Sequence, residues 1–171
     1  MYTNILECNM DFRITGLSPE PFQPLFALDD AALTDLAVHR TIADDATGFI
    51  CRVSLAHATI GEELILLSFE HQDARSPYRA TGPIFVRKAA ITQFDEINLI
   101  PEPVRSRLLS VRAYDAESLI VEADVVDGKE IESLIEKFFA EEDVAYLHIH
   151  YARRGCFACR VDRTVDSAMK A

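Results

Sequence analysis

Histidine and cysteine residues are concentrated near the end of the chain, in the segment HIHYARRGCFACRVDR at residues 148–163. His148 and His150 stand two residues apart, and Cys156 and Cys159 follow with two residues between them. A tight turn between two cysteines brings both sulfurs within reach of one ion, and two imidazoles complete the four ligands of a zinc site. One hypothesis for this segment is therefore zinc binding by these four side chains.

The same histidines are candidates for acid–base chemistry. In a β-strand over residues 144–151, Tyr146, His148 and His150 share one face, while the other face is apolar. The Cα atoms of the two histidines then lie about 6.5–7 Å apart, so their imidazoles line one cleft or reach one ion. An imidazole with a pKa near neutrality serves as a general acid or base.

The register of the hairpin that follows decides which residues join the histidines. If His150 faces Cys159, a His–Cys site forms. If the pairing moves by one residue, His150 faces Arg160 and His148 faces Asp162, which gives a polar surface of imidazole, guanidinium and carboxylate groups. A shift of one residue exchanges the two faces of a strand, and the sequence alone does not choose between these registers.

A second polar segment, FEHQDARSPYRATGP at residues 69–83, follows an apolar strand, and loops at strand ends often carry binding groups. An arginine inside an apolar strand either faces solvent or gathers with others around an anion, since an unpaired buried charge is costly. Glu122 and Asp124 are expected partners for Arg112, which favours a structural role for that arginine. The catalytic candidates are His148, His150 and Asp162, and the ligand-binding candidates are Tyr78, Arg79, Arg112, Tyr146 and Arg160.

Two further interpretations apply to the cysteines. A redox pair needs a thiolate of lowered pKa, usually at a helix N-terminus, but the segment after Cys159 is short and β-branched. A lone buried histidine or cysteine is normally part of the core. Under that interpretation the protein is structural, or it forms a homodimer through a sheet edge.

The charge of the chain limits its partners. The 171 residues carry a formal net charge of −11 and a pI near 4.8, which argues against nucleic acid and anionic membrane surfaces as partners. Of the 17 basic residues, 13 are arginine, the residue that pairs bidentately with carboxylate and phosphate groups. A small anionic molecule is the expected ligand. The first residues do not resemble a signal peptide, so a cytoplasmic location is expected.

The elements expected from the sequence give an α+β fold. Apolar alternation predicts a mainly antiparallel β-sheet that includes a short strand over residues 48–55. Residues 94–106 are expected to form a connection with at most one helical turn. Residues 128–141 carry the apolar stripe of one long helix in the C-terminal half, which Asp127 can cap. Short N-terminal helices begin near Asp29 or Asp30, either of which can cap a helix. We expect a single domain over 11–163, with an N-terminal extension over 1–10 and a C-terminal tail over 164–171.

The chain resembles a family of small bacterial proteins known as domain of unknown function 1203. The likeness rests on segments spread over residues 11–163, including GFICRVSL, SPYRATGPIFVR and, most diagnostic, AYLHIHYARRGCFACRVDR. The resemblance implies a soluble bacterial single-domain protein. It carries over no activity, no cofactor and no site residue.

Overall fold

The computed structural model describes residues 11–164. The expected N-terminal extension over 1–10, and all of the expected tail except residue 164, lie outside the described residues. Within them the chain forms two antiparallel sheets and a few helices, which confirms the α+β class and its mainly antiparallel sheet. No helix among residues 11–164 is both long and apolar enough to cross a bilayer.

Within residues 11–164, nine strands make up the two sheets. They are β1 (Phe12–Thr15), β2 (His39–Ile42), β3 (Glu63–Gln72), β4 (Ala80–Arg87), β5 (Asp95–Ile97), β6 (Leu108–Tyr114), β7 (Ile120–Asp127), β8 (Tyr146–Tyr151) and β9 (Cys156–Arg163). The six-stranded sheet has the order β5-β1-β9-β8-β6-β7, and the three-stranded sheet has the order β2-β3-β4. Hairpins β6–β7 and β8–β9 therefore lie side by side at the centre and one edge of the larger sheet.

In the same described range, three α-helices accompany the strands: α1 (Asp30–Asp35), α2 (Glu102–Arg105) and α3 (Ile131–Phe139). The N-cap of α1 is Asp29, whose carboxylate accepts a hydrogen bond from the Ala32 N–H at 2.9 Å. A 3-10 turn over Gly128–Glu130 runs into α3, so the long helix of the C-terminal half spans 12 residues and is shorter than the stripe over 128–141 predicts. Asp127 caps that turn by accepting from the Lys129 N–H.

Each sheet has its own apolar core. The apolar residues of α3 pack on one face of the six-stranded sheet, against side chains such as Val111 and Ile149. The three-stranded sheet packs Ile65, Ile84 and Val86 against the N-terminal helical segments.

Two segments differ from the sequence-based expectation. Residues 48–55 do not form a strand; Ile50 and Cys51 make only isolated bridges. The buried Arg52 side chain there donates to the carbonyl oxygens of Ile50 at 2.5 Å and Phe157 at 2.6 Å, which ties the segment to β9 as an irregular connection. Residues 94–106 contain the short strand β5 as well as the single helical turn that was expected, because β1 offers a free edge for pairing.

Strand β7 is an exposed edge of the larger sheet. The backbone N–H groups of Ala123 and Val125 donate to the carboxylates of the residues just before them, Glu122 and Asp124, at 3.0 and 2.8 Å. Carboxylates on these N–H groups compete with an incoming strand, and charged side chains are a common way to protect a sheet edge.

Candidate ligand-binding site

The two faces of β8 differ in chemistry. Leu147, Ile149 and Tyr151 join the core under α3 on what we call the core face. Tyr146, His148 and His150 lie on the opposite face of the six-stranded sheet, the polar face. The alternation predicted from the sequence is therefore present, and all six side chains are buried.

Three rows of side chains cross the polar face from β7 through β6 and β8 to β9. They are Val125–Ser110–His150–Phe157, Ala123–Arg112–His148–Arg160 and Ile120–Tyr114–Tyr146–Asp162. Neighbours within a row are cross-strand partners, whose Cβ atoms lie about 4.5–5.5 Å apart. The polar candidates of the sequence analysis on β6, β8 and β9 thus share one surface.

Neither of the two registers considered for the β8–β9 hairpin is the observed one. Cys159 pairs with Ile149, and Arg160 pairs with His148. A β-bulge leaves Ala158 as an extra residue, because His150 pairs with Phe157. An extra residue exchanges the faces along the rest of the strand, an event that strict alternation cannot predict.

The end of β3 covers the histidines from the second sheet. His71 lies with its ring centroid 5.2 Å from that of His150 and 6.3 Å from that of His148, and its ring stacks on Phe157 at 5.0 Å. The next residue, Gln72, donates from Nε2 to the Tyr146 hydroxyl at 2.9 Å. His148 and His150 are only 2% and 1% exposed as a result, so neither ring is open to solvent.

Several ring nitrogens in this cluster have no hydrogen-bond partner in the described part of the chain. The Nδ1 of His150 lies 3.0 Å from the Gly155 carbonyl oxygen, which fixes Nδ1 as the donor and leaves Nε2 as an acceptor. Within residues 11–164 no group bonds to that Nε2 or to Nδ1 of His148. Buried polar atoms without partners are rare and cost roughly 1–3 kcal/mol each.

Burial keeps the histidines neutral. Desolvation lowers the pKa of His148 to about 3, with smaller contributions from His150 and Arg160. Desolvation likewise lowers the pKa of His150 to about 4, although the Gly155 carbonyl opposes this shift. The pKa of His71 is also lowered by burial, and the charge of Arg112 adds to the lowering for all three imidazoles.

Arg112 is a charged side chain of the polar face and the cross-strand neighbour of His148. This arginine is half-buried and lies near the Tyr114 hydroxyl, where its charge opposes the rise in the pKa of Tyr114 that burial causes. The expected pairing with Glu122 and Asp124 is wrong, because both flank Ala123 and face the α3 side, where Asp124 lies 4.0 Å from Lys137. Among residues 11–164, no carboxylate lies within ion-pair distance of Arg112.

The other charged candidates are paired. Arg160 binds Asp162 at 2.8–2.9 Å and stacks over the Tyr146 ring at 3.9 Å. Arg79 binds Glu70 with two hydrogen bonds of 2.7 and 2.8 Å. These arginines have their own carboxylates, so Arg112 differs from them. The last candidate, Tyr78, is exposed at the rim, with its ring 6.4 Å from that of Tyr114.

The cysteines do not join the histidines. Cys159 is fully buried on the core face opposite Ile149, and burial raises the pKa of its thiol to about 12. Cys156 lies at the start of β9 opposite Tyr151, with Sγ 3.8 Å from the Arg154 carbonyl oxygen. Among the described residues no three His, Cys, Asp or Glu side chains form a group able to hold a metal ion. The arrangement therefore gives the zinc hypothesis no support.

The sequence analysis assigned no role to His71, Ser110 or Val125. The signal for His71 was its position at the end of an apolar strand that enters a polar loop. Its contact with β8 joins two different sheets, so no local pattern predicts it. The position of Ser110 beside Val125 on the polar face can be derived only from the register of β6 and β7.

A separate shallow cleft of about 320 Å³ lies between residues 54–57 and 94–103. Its walls are largely apolar, and its polar groups include the ion pair between His57 Nε2 and Glu102 at 2.9 Å. None of the polar-face side chains lines this cleft.

Comparison with known proteins gives the family but no activity. No curated protein and no solved structure matches the chain. A family model described as "Protein of unknown function (DUF1203)" matches residues 48–163, which is more than half of the chain and includes β3 to β9. All three rows of the polar face and the covering His71 lie within the match, whereas residues 11–47 do not. The chain belongs to the DUF1203 family.

Proposed function

We propose that the protein binds a small anionic molecule at Arg112, beside the buried histidines of the polar face. The observation that carries the proposal is a half-buried arginine with no carboxylate partner among residues 11–164. An unpaired charge in a partly desolvated position is costly unless a ligand of opposite charge binds there. Arg79 and Arg160 differ from Arg112 in this respect, because each is paired with a carboxylate.

The groups around Arg112 favour an anion over a cation. Burial lowers the pKa of all three imidazoles, so they are neutral at pH 7, and the Tyr114 hydroxyl lies nearby. The nearest carboxylate in the rows, that of Asp162, is bound by Arg160. A guanidinium offers a planar pair of N–H donors that matches carboxylate and phosphate groups.

Burial favours binding over catalysis at this site. His148 and His150 have acceptor nitrogens, but a general base must come within hydrogen-bond reach of the substrate proton. Rings that are 2% and 1% exposed reach no substrate unless β3 moves away. Asp162, the third catalytic candidate, is held by Arg160.

Calorimetric titration with inorganic phosphate, sulfate, acetate and succinate tests the proposal. The variant Arg112→Gln removes the charge and keeps a polar side chain, and we expect it to weaken binding about 10- to 100-fold, the range of a charge-assisted hydrogen bond. Arg153→Gln, in the exposed turn between β8 and β9, removes the same charge elsewhere and is the matched control. Equal binding by the two variants, or no binding of any of these anions to the native protein, contradicts the proposal.

A further inference from the structure

Exposed apolar side chains lie next to Arg112 on the polar face. Val125 is 56% exposed and Leu108 is 46% exposed. Leu108, Ser110 and Arg112 alternate along β6 and so point to the same side, and Val125 and Ala123 are the cross-strand partners of Ser110 and Arg112. We call Leu108, Ala123 and Val125 the apolar shelf.

The apolar shelf lies beside the part of the polar face that the end of β3 covers. In each of two rows the residue on β8 is a buried histidine, the residue on β6 is half-buried and the residue on β7 is exposed. Arg112 therefore stands at the boundary, with His71 and the imidazoles on one side and apolar groups on the other. By strand rise, the Ser110–Val125 row lies about 6.5–7 Å from the Arg112–Ala123 row.

From this juxtaposition we propose that the ligand is a small amphipathic monocarboxylate, whose carboxylate pairs with Arg112 while its apolar chain lies along the shelf. The inference rests on the anion site proposed above and adds the chemical class of its ligand. A carboxylate fits the guanidinium of Arg112 as a bidentate partner. One negative charge suffices, because Arg160 and Arg79 are already bound to Asp162 and Glu70.

A free small molecule fits this surface better than a membrane or a second copy of the chain. The net charge of −11 repels anionic lipid surfaces. Pairing two β7 edges would bring the Glu122 and Asp124 carboxylates of both copies together, and like charges across strands are destabilising. The outward N–H groups of β7 already bond to those carboxylates.

The test is a calorimetric series of straight-chain carboxylates from acetate to octanoate, with inorganic phosphate alongside. Full burial of a methylene strengthens binding about fourfold, so a shelf that covers one side of the chain should give about twofold per methylene. Over the six added methylenes, octanoate should bind on the order of 50-fold more tightly than acetate. In Val125→Thr the gain with chain length should shrink while acetate binding stays unchanged.

Ile97→Thr is the matched control. Ile97 is 57% exposed, almost the same as Val125, and lies on β5 at the far edge of the same sheet. The inference holds if chain length strengthens binding in the native protein and in Ile97→Thr but much less in Val125→Thr.

Other results overturn the inference in distinguishable ways. If phosphate, acetate and octanoate bind alike and all depend on Arg112, the anion site stands and the apolar shelf plays no part. If octanoate binds equally well to Arg112→Gln, the binding is apolar only. If no anion binds at all, both proposals fall. If light scattering shows a dimer that Val125→Thr dissociates, a second copy occupies the shelf.

Discussion

The two faces of β8 are buried to the same degree and yet differ in the chemistry of the side chains that they bury. On the core face, Leu147 and Ile149 are fully buried and contact other apolar side chains, although the Tyr151 hydroxyl at the end of the strand has no hydrogen-bond partner among residues 11–164. On the polar face, His148 and His150 are just as inaccessible, but each has a ring nitrogen without a partner among the described residues. One strand thus has an apolar core on one side and an incompletely bonded polar cluster on the other.

The two faces of β8 contribute to the stability of the fold in opposite directions. The core face lowers the free energy of the folded state through burial of apolar area. The polar face raises it, since each unpaired buried polar atom costs roughly 1–3 kcal/mol. A leucine at position 148 or 150 would fill similar space without that cost. The unpaired ring nitrogens of the histidines therefore add nothing to stability, which is consistent with a ligand-binding role next to Arg112.

The largest expected effect is a loss of stability in acid, caused by the buried histidines of the polar face. Burial holds the pKa values of His148 and His150 at about 3 and about 4, below the value near 6.5 of the unfolded chain. The unfolded chain then binds more protons than the folded protein between pH 6.5 and 4.5, so stability falls as the pH falls through this window. The expected loss is about 5 kcal/mol for the two histidines together.

Urea denaturation at half-unit steps of pH measures this loss. The steps between pH 6.5 and 5.5 lie above the range where ordinary carboxylates titrate, so the slope there reports mainly on the histidines. The matched control is His39→Gln, because His39 is exposed on β2. It should leave the slope unchanged, whereas a free energy of unfolding that stays flat between pH 6.5 and 4.5 would show that the imidazoles are not buried in the folded state.

The core face should respond to loss of volume instead. Ile149→Ala removes three carbon atoms from a fully buried side chain and should destabilise the protein by about 2–5 kcal/mol, from lost burial and the cavity left behind. Urea unfolding at pH 7 gives this number directly. Ile42→Ala, on the exposed edge strand β2, is the control and should cost well under half as much. Similar costs for both would mean that Ile149 is not packed in the core.

Much of the fold could be predicted from the sequence because its signals are local. The alternation of residues 144–151 sorted β8 into its two faces, and Asp29 and Asp127 marked the starts of helical segments. The segment at 48–55 was wrongly assigned as a strand, since the buried Arg52 bonds to carbonyl groups that only the folded chain brings near.

The site was less accessible to prediction. The bulge at Ala158 changed which side chains lie opposite His148 and His150, and it put Cys159 on the core face. The cover by His71 comes from a different sheet, 77 residues before His148 in the sequence and in contact only through the fold. The pairing expected for Arg112 failed because its neighbours Glu122 and Asp124 point to the other face.

Replacing a buried histidine by an apolar residue should make the two faces of β8 more alike in their contribution to stability. We expect His148→Leu to leave the protein as stable at pH 7 or to stabilise it by about 1 kcal/mol, because an unpaired buried nitrogen is removed. The same variant should lose about half of the pH dependence between pH 6.5 and 4.5. Thermal and urea unfolding at both pH values measure these effects. A large loss of stability at pH 7 would instead indicate that Nδ1 of His148 has a bonding partner in solution.

The smallest expected effect concerns the charge beside the imidazoles. Arg112 lowers the pKa of His71, His148 and His150, so Arg112→Gln should raise the pKa of the half-exposed His71 towards its ordinary value. NMR titration of the His71 Cε1–H resonance reports this change. Arg160→Gln is the control: its charge acts on His148, and it should leave the pKa of His71 nearly unchanged. Equal changes in the pKa of His71 in both variants would mean that the electrostatic field at His71 comes from all charges of the polar face and not from Arg112 in particular. A shift confined to Arg112→Gln would place the unpaired charge beside His71, where a bound anion would raise the same pKa and draw a proton onto the ring.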